Sequence, residues 1–318
     1  MAGDINFQIN EKTLDNLELF ANRTSKLGEL RLLELADIAV SLSDLSLEML
    51  GAGIQLYELF SMLGEELRLG SYSPHSTALP GSIGYLGYSL SQLSRTDLAA
   101  LTSLYLTELS ARGVNVFEDS FLPSIKPNEL VAYVKNSFSD EAYDVLSQDM
   151  ISPRVSYMRN FNECAMALDA GDVGFCLLPL EERGGVRLPT VAELIYRYDF
   201  KINAVTPVFG FDGNADLKYA LVSKHFTVPE ARAGDDRYLE LRISASDRST
   251  LSELLSVFEY FGLSVYLINT VRLMTDGEAG AHYSLVLRDG GEGFIAVLAY
   301  LALFAQDTIP VGVYKNLE

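Results

Sequence analysis

Apolar residues recur every three or four positions between residues 13 and 70, and the shared faces of Leu14, Leu17 and Phe20, then of Leu42, Leu45, Leu47 and Leu50, predict helices. The stretch SYSPHSTALPGSIG, residues 71–84, interrupts that rhythm with Ser, Pro and Gly and reads as a linker or long loop. IGYLGYSL follows as an expected strand. SRTDLAALTSLYLTELSARG predicts a helix, with Ser94 as N-cap, Asp97 three residues on and Gly113 at its end. VNVFED is expected to return to a strand.

From about Leu130 to Phe226 short β-rich runs alternate with helical segments. LVAYV, RVSYM, VGFCLLP, FKINAVTPVF and LKYALVSK read as strands. SFSDEAYDVLSQ, capped by Ser137 or Ser139, NFNECAMALDAG, ending at Gly171, and VAELIYRY read as helices. Such alternation implies a largely parallel sheet. Within it, VGFCLL stops at Pro179 and leads to Glu181, Glu182, Arg183 and a Gly-Gly pair. Two readings of that stretch stay open. It is either a solvated charged turn closed by Gly184 and Gly185, or the mouth of a pocket at the end of a sheet.

The rhythm changes from about Arg237. RYLELRIS alternates like a half-exposed strand, STLSELLSVFEYFG is an amphipathic helix, and LSVYLINTVRL and AHYSLVLRD are strands. GFIAVLAYLALFAQ is a helix and IPVGVY a last strand, which completes the β-α-β-β-α-β order of ferredoxin-like folds.

Composition narrows the class. With 318 residues and 48% hydrophobic content the chain has room for more than one core. A formal charge of −19 disfavours nucleic acid and anionic membrane surfaces as partners. Cys164 and Cys176 lie in apolar stretches and read as reduced core residues. No signal peptide and no membrane-spanning run is legible, so a cytoplasmic location is expected. His75 has no second histidine or cysteine nearby, and neither a metal nor a cofactor is expected. His225 and His282 read as surface or core residues.

Residues 130–318 resemble prephenate dehydratase with its C-terminal ACT regulatory domain. VAYVKNSFSDEAY is similar to that family's opening strand, Gly-Thr-Phe-Ser loop and helix, and LLPLEERGGVRLPTVAELI to its Pro-Ile-Glu-Asn-Ser turn and following helix. RYLELRISASDRSTLSELLSVFEYFGLSVYLINTVRL is similar to the first ACT strand, helix and second strand, and IPVGVY to the closing Leu-Gly-Ser-Tyr. Before about Glu129 no comparable resemblance is seen, and periodicity alone marks the elements there; with what the resemblance implies for the rest, the chain is expected to be α/β (α+β overall) in four parts. These are a helical region, 1–72; a linker with a helix/strand segment, 73–128; one periplasmic-binding-protein-like α/β lobe with a mostly parallel sheet, 129–228; and a ferredoxin-like ACT domain, 237–318.

The departures from the family decide what function to expect. Its Thr-Arg-Phe strand supplies a threonine that protonates the departing hydroxyl and an arginine that holds a substrate carboxylate. Leu217, Lys218 and Tyr219 stand there in this chain, so the proton donor is gone and a point charge replaces the guanidinium fork. FGFDGNAD also spans the place of a whole second lobe. The resemblance therefore implies a divergent, non-catalytic protein of amino-acid-responsive regulation or protein interaction. An active dehydratase with replaced catalytic groups, converting prephenate to phenylpyruvate in phenylalanine biosynthesis, is the alternative. Ser137, Ser139, Glu181, Glu182 and Lys218 are its vestigial pocket candidates. In the ACT part, Asp247, Ser249, Thr250 and Leu251 of one copy, with Asn269 and Thr270 of another, are the candidates for binding a phenylalanine-like amino acid. The expected assembly is a homodimer paired through the ACT sheets.

Overall fold

The computed structural model describes residues 26–51, 53–71, 86–87, 90–116, 129–148, 150–182, 184–209, 215–226, 236–244, 248–275, 278–289 and 293–317. The chain divides into two compact units. The first comprises Met1–Phe121, Ser249–Leu263 and Glu292–Gln306, the second Leu122–Arg248, Ser264–Gly291 and Asp307–Glu318. The split runs through the C-terminal β-α-β-β-α-β segment, assigning its helices to the first unit and its strands to the second.

The first unit is helical: α1 (Lys26–Gly51), α2 (Leu56–Ser71), α3 (Arg95–Ala111), α7 (Arg248–Tyr260) and α8 (Gly293–Phe304). The α3 start is as expected. Ser94 accepts from the Asp97 N–H and the Asp97 carboxylate returns a bond to the Ser94 backbone, a reciprocal cap. GFIAVLAYLALF has no polar face, and Phe294 to Leu303 are all buried. A helix apolar all round needs neighbours all round; α2 and α3 pack on it. At Gly64 of α2 a Cβ would lie 2.0 Å from the Ala302 carbonyl oxygen, so only glycine permits that crossing. Leu86 and Gly87 are helical where a strand was expected, and Val114–Val116 are irregular rather than a strand, with residues 117–119 outside the described residues. There the left-handed Gly113 (φ 87°) and the Val114 N–H bond to Leu109 close α3. Leu14, Leu17, Phe20 and His75 lie outside the described residues.

The second unit holds a ten-stranded sheet in the order β2-β1-β3-β6-β5-β10-β7-β9-β8, with β4 paired to β3 alone. Its strands are β1 (Leu130–Val134), β2 (Arg154–Met158), β3 (Phe175–Glu182), β4 (Val186–Arg187), β5 (Lys201–Phe209), β6 (Ala215–Ser223), β7 (Arg237–Ser244), β8 (Ser264–Thr275), β9 (Glu278–Asp289) and β10 (Ile309–Lys315). Its helices are α4 (Ser137–Leu146), α5 (Phe161–Ala170) and α6 (Pro189–Arg197).

Three expectations need correction here. The sheet is mixed, not mostly parallel: β1 runs parallel to β2 and β3, but β6 is antiparallel to both β3 and β5. Residues 210–214 between β5 and β6 are too few for a parallel crossover, which takes about a dozen or more residues. The β3 strand also continues past Pro179 to Glu182 and turns through Gly184 and Gly185, both at positive φ, into β4. Finally, β7 is buried along most of its length rather than half-exposed, because β10 and β9 flank it.

The β10 strand joins β5 in parallel at the pair Gly312↔Ile202. A Cβ at Gly312 would sit 2.2 Å from the Ile202 carbonyl oxygen, so glycine is what lets the two strands meet. Two cores result. One gathers Val131, Tyr133, Ala142, Leu146, Leu177, Val208, Tyr219 and Leu221 with residues of α4. The other is continuous from Ala132, Cys164 and Leu178, through α6, to Tyr238, Val271, Val286 and Tyr314. Strands on both sides of the Gly312 junction therefore share one apolar interior.

Candidate functional site

The β6 strand sorts its side chains by parity. Leu217, Tyr219 and Leu221 pack in the α4 core, while Ala220 and Val222 belong to the other. Lys218 shares that second face. It lines a narrow pocket with Leu180, Val205, Tyr238, Tyr266 and Tyr314, and its ammonium lies 3.3 Å from Glu181 Oε2.

Glu181 reaches this face because β3 changes register between Pro179 and Glu181. An extra residue there re-aims the side chain. A second irregularity, between Val265 and Leu267 of β8, accompanies Tyr266 at the same pocket. Glu181 is 4% exposed, so it is no solvated turn residue. Its Oε1 lies 3.4 Å from Nη1 of Arg187. The Arg187 guanidinium also pairs with Glu240 of β7, and both side chains are 3% exposed. Glu240 is then completed by Ser284, whose hydroxyl donates at 2.8 Å, and by the Tyr314 hydroxyl at 3.3 Å.

The network holds two carboxylates, Glu181 and Glu240, and two cations, Arg187 and Lys218. Burial pulls the Arg187 guanidinium toward neutrality, and Glu240 with Glu181 more than offsets it, leaving its pKa raised. Burial dominates at Glu240, whose pKa is raised although Arg187, Ser284 and Tyr314 favour the carboxylate. Beside the network, burial pushes the Tyr196 hydroxyl up, and the Arg242 guanidinium stacks 5.3 Å from the Tyr196 ring while donating to its carbonyl.

The five pocket candidates do not form one cluster. Glu181 and Lys218 meet directly; Glu182 is exposed at the end of β3 and Arg183 lies outside the described residues. Ser137 is exposed in the first turn of α4. The cap of α4 is neither serine but Asn136, which accepts from the Ser139 N–H at 3.0 Å. Ser139 returns the bond from the Asn136 N–H and donates to Val134 O at 2.7 Å. Its hydroxyl is committed to that cap, on the Leu217 side of the sheet.

Among the ACT candidates, Asp247 lies outside the described residues, and Ser249, Thr250 and Leu251 form the first turn of α7. Asn269 and Thr270 are on β8. Asn269 is half-buried and donates to the Gly185 carbonyl at 3.4 Å, tying β8 to the β3–β4 turn. His225 uses its backbone in a turn with Ser223. His282 stands half-buried on β9, where burial and then Arg242 lower its pKa.

Arg187, Glu240, Ser284 and Tyr314 were not singled out from sequence. They come from β4, β7, β9 and β10, and the available signal was the lone glutamate inside the apolar RYLELRIS, which needs a cation once that strand is buried. Among the described residues, no three His, Cys, Asp or Glu side chains gather as a metal site, and no helix is long and apolar enough to cross a membrane.

No protein-family model matches the chain, nor does any curated protein. Solved structures do resemble it. Prephenate dehydratase from Streptococcus mutans is 15% identical, with 60% of this chain and 100% of that one covered at a TM-score of 0.48. A protein described as a novel type of quorum-quenching acylase is 16% identical, with 59% and 95% covered at 0.44. Prephenate dehydratase from Arthrobacter aurescens, in complex with L-Phe, is 14% identical, with 58% and 89% covered at 0.43. Over about 60% of its length, and at low sequence identity, this chain is structurally similar to prephenate dehydratases.

Proposed function

We propose that this chain is a non-catalytic protein acting in amino-acid-responsive regulation or protein interaction. The observation that carries the reading is the β6 strand. Leu217, at the position of the expected proton donor, packs against the α4 core, and Lys218 points to the other face and is engaged by Glu181. A side chain without an exchangeable proton cannot act as general acid.

The interaction half of the proposal rests on β8. It is an edge strand of twelve residues, and Val265, Tyr266 and Ile268 are exposed along it. An open edge of that length invites another strand, and a second copy meets it isologously. The regulatory half rests on Asn269. With its amide nitrogen engaged by Gly185, its oxygen is the group offered to a ligand ammonium.

The decisive experiment gives purified protein prephenate and follows phenylpyruvate, then screens amino acids by thermal shift. Background turnover together with a melting-temperature rise from one amino acid at millimolar concentration is expected. Turnover near that of ordinary enzymes, about 10 per second, overturns the non-catalytic reading. No shift with any amino acid removes the regulatory half.

A further inference from the structure

The two thiols take no part in that reading. Cys164 is on α5 and Cys176 on β3; both are free and fully buried. The Cys176 thiol donates to the Cys164 carbonyl at 2.9 Å. That contact sets the Cys176 sulfur against the residue that carries the other thiol, and a disulfide between them needs Cα atoms about 4.4–6.8 Å apart. We propose that Cys164 and Cys176 are a two-thiol redox pair that a hydroperoxide converts to a disulfide, pinning α5 to the sheet.

The pair is asymmetric. Hydrogen bonding between the two thiols themselves lowers the Cys164 pKa, with burial opposing, whereas the same thiol pairing and then burial raise Cys176. Thiolate character selects the attacking sulfur. Cys164 therefore attacks the hydroperoxide oxygen, forming a sulfenic acid and releasing water from hydrogen peroxide. The Cys176 sulfur then displaces the sulfenic hydroxyl, which leaves as a second water as the S–S bond closes. Two thiols lose two electrons and two protons, and one peroxide becomes two waters. Access comes through α5, a ten-residue helix whose outer side chain Met166 is 61% exposed. Local opening of such a short element admits a small oxidant without global unfolding.

The test treats the full chain with hydrogen peroxide in native buffer, then unfolds it, alkylates free thiols and weighs it. The expected product takes no alkyl group, is lighter than the untreated, unalkylated chain by about 2 Da, the two hydrogens, and yields a peptide in which Cys164 and Cys176 are linked. Its melting temperature should rise by roughly 5–10 °C through the closed loop. Replacing Cys176 by Ser removes the resolving thiol, so sulfenic acid at Cys164 should be trapped by dimedone several-fold more than in the parent. If both thiols remain alkylatable after exposure that oxidises the denatured chain, the pair is inert and the proposal fails. It fails equally if parent and Cys176→Ser trap dimedone alike, because Cys176 then resolves nothing.

Discussion

The two faces of β6 have opposite chemistry. On one, Leu217, Tyr219 and Leu221 extend an apolar core over α4, and the Tyr219 hydroxyl is directed to the Asn136 cap. On the other, Lys218 leads into Glu181, Arg187 and Glu240, four charges set among tyrosines. The face beside the helix N-terminus, where free N–H groups favour an anionic ligand, has been given over to packing. The charged face lies where β3, β4, β6, β7 and β10 converge, and its ion pairs cross the Gly312 junction. Charge in this unit joins strands.

If so, Arg187 is the member whose loss costs most. Arg187→Met leaves Glu240 buried with only hydroxyl partners and Glu181 with Lys218 alone. Breaking a buried pair in this way costs about 3–5 kcal/mol, measurable as a lowered urea midpoint with unchanged m-value. Adding Glu240→Leu should recover most of the loss, because the stranded charge goes with it. A single variant within about 0.5 kcal/mol of the parent, as for an ordinary surface change, would show that the network is not what joins the strands.

The same contrast explains what the sequence disclosed. LKYALVSK reads as a strand, whose alternation puts Leu217 and Tyr219 on one face, and that Leu217 has no exchangeable proton is plain in the residue itself. Element types were also legible wherever capping and periodicity agreed, as at Ser94 with Asp97. Non-local pairing was not. Nothing local to β7 says that both its neighbours are strands, so RYLELRIS reads as half-exposed. The same limit hid the register change that turns Glu181 inward and the antiparallel β6, because register is set by partners distant in sequence. The N-cap went to Asn136 because it directly precedes the helix, and the serines after it hid that signal.

The apolar face yields the next prediction. Leu217→Thr introduces the expected hydroxyl, but places it against the apolar core beside α4. A cost of roughly 1–2 kcal/mol follows from lost apolar contact, with phenylpyruvate formation still at background. Activity rising a hundredfold or more in this variant would mean that Leu217 alone had silenced the site.

On the charged face pH should separate parent from Glu240→Gln. The Glu240 pKa is raised above its ordinary 4.5 by burial, so the folded state takes up this proton before the unfolded chain does. Its contribution therefore becomes more favourable as pH falls through the raised value, and levels off below the ordinary one. Glutamine carries no such term. The parent should gain stability relative to Glu240→Gln on acidification from neutrality, and stop gaining below about 4.5. Curves that stay parallel through this window would place the Glu240 carboxylate in a better-compensated site than its burial implies.

The smallest effect on folding should come from β8, at the far edge of the same sheet. Ile268 is 44% exposed, so Ile268→Lys removes little buried surface and should leave stability within about 0.5 kcal/mol of the parent. Its effect belongs to assembly. A second copy paired along this edge would bring the two lysines close to the shared axis, where like charges repel and their desolvation is uncompensated. Sedimentation at micromolar concentration should then give a dimer for the parent and a monomer for the variant, while both melt at nearly the same temperature. A parent that is already monomeric removes β8 as the assembly edge. A variant that stays dimeric moves the interface elsewhere and leaves the exposed Val265, Tyr266 and Ile268 without that purpose.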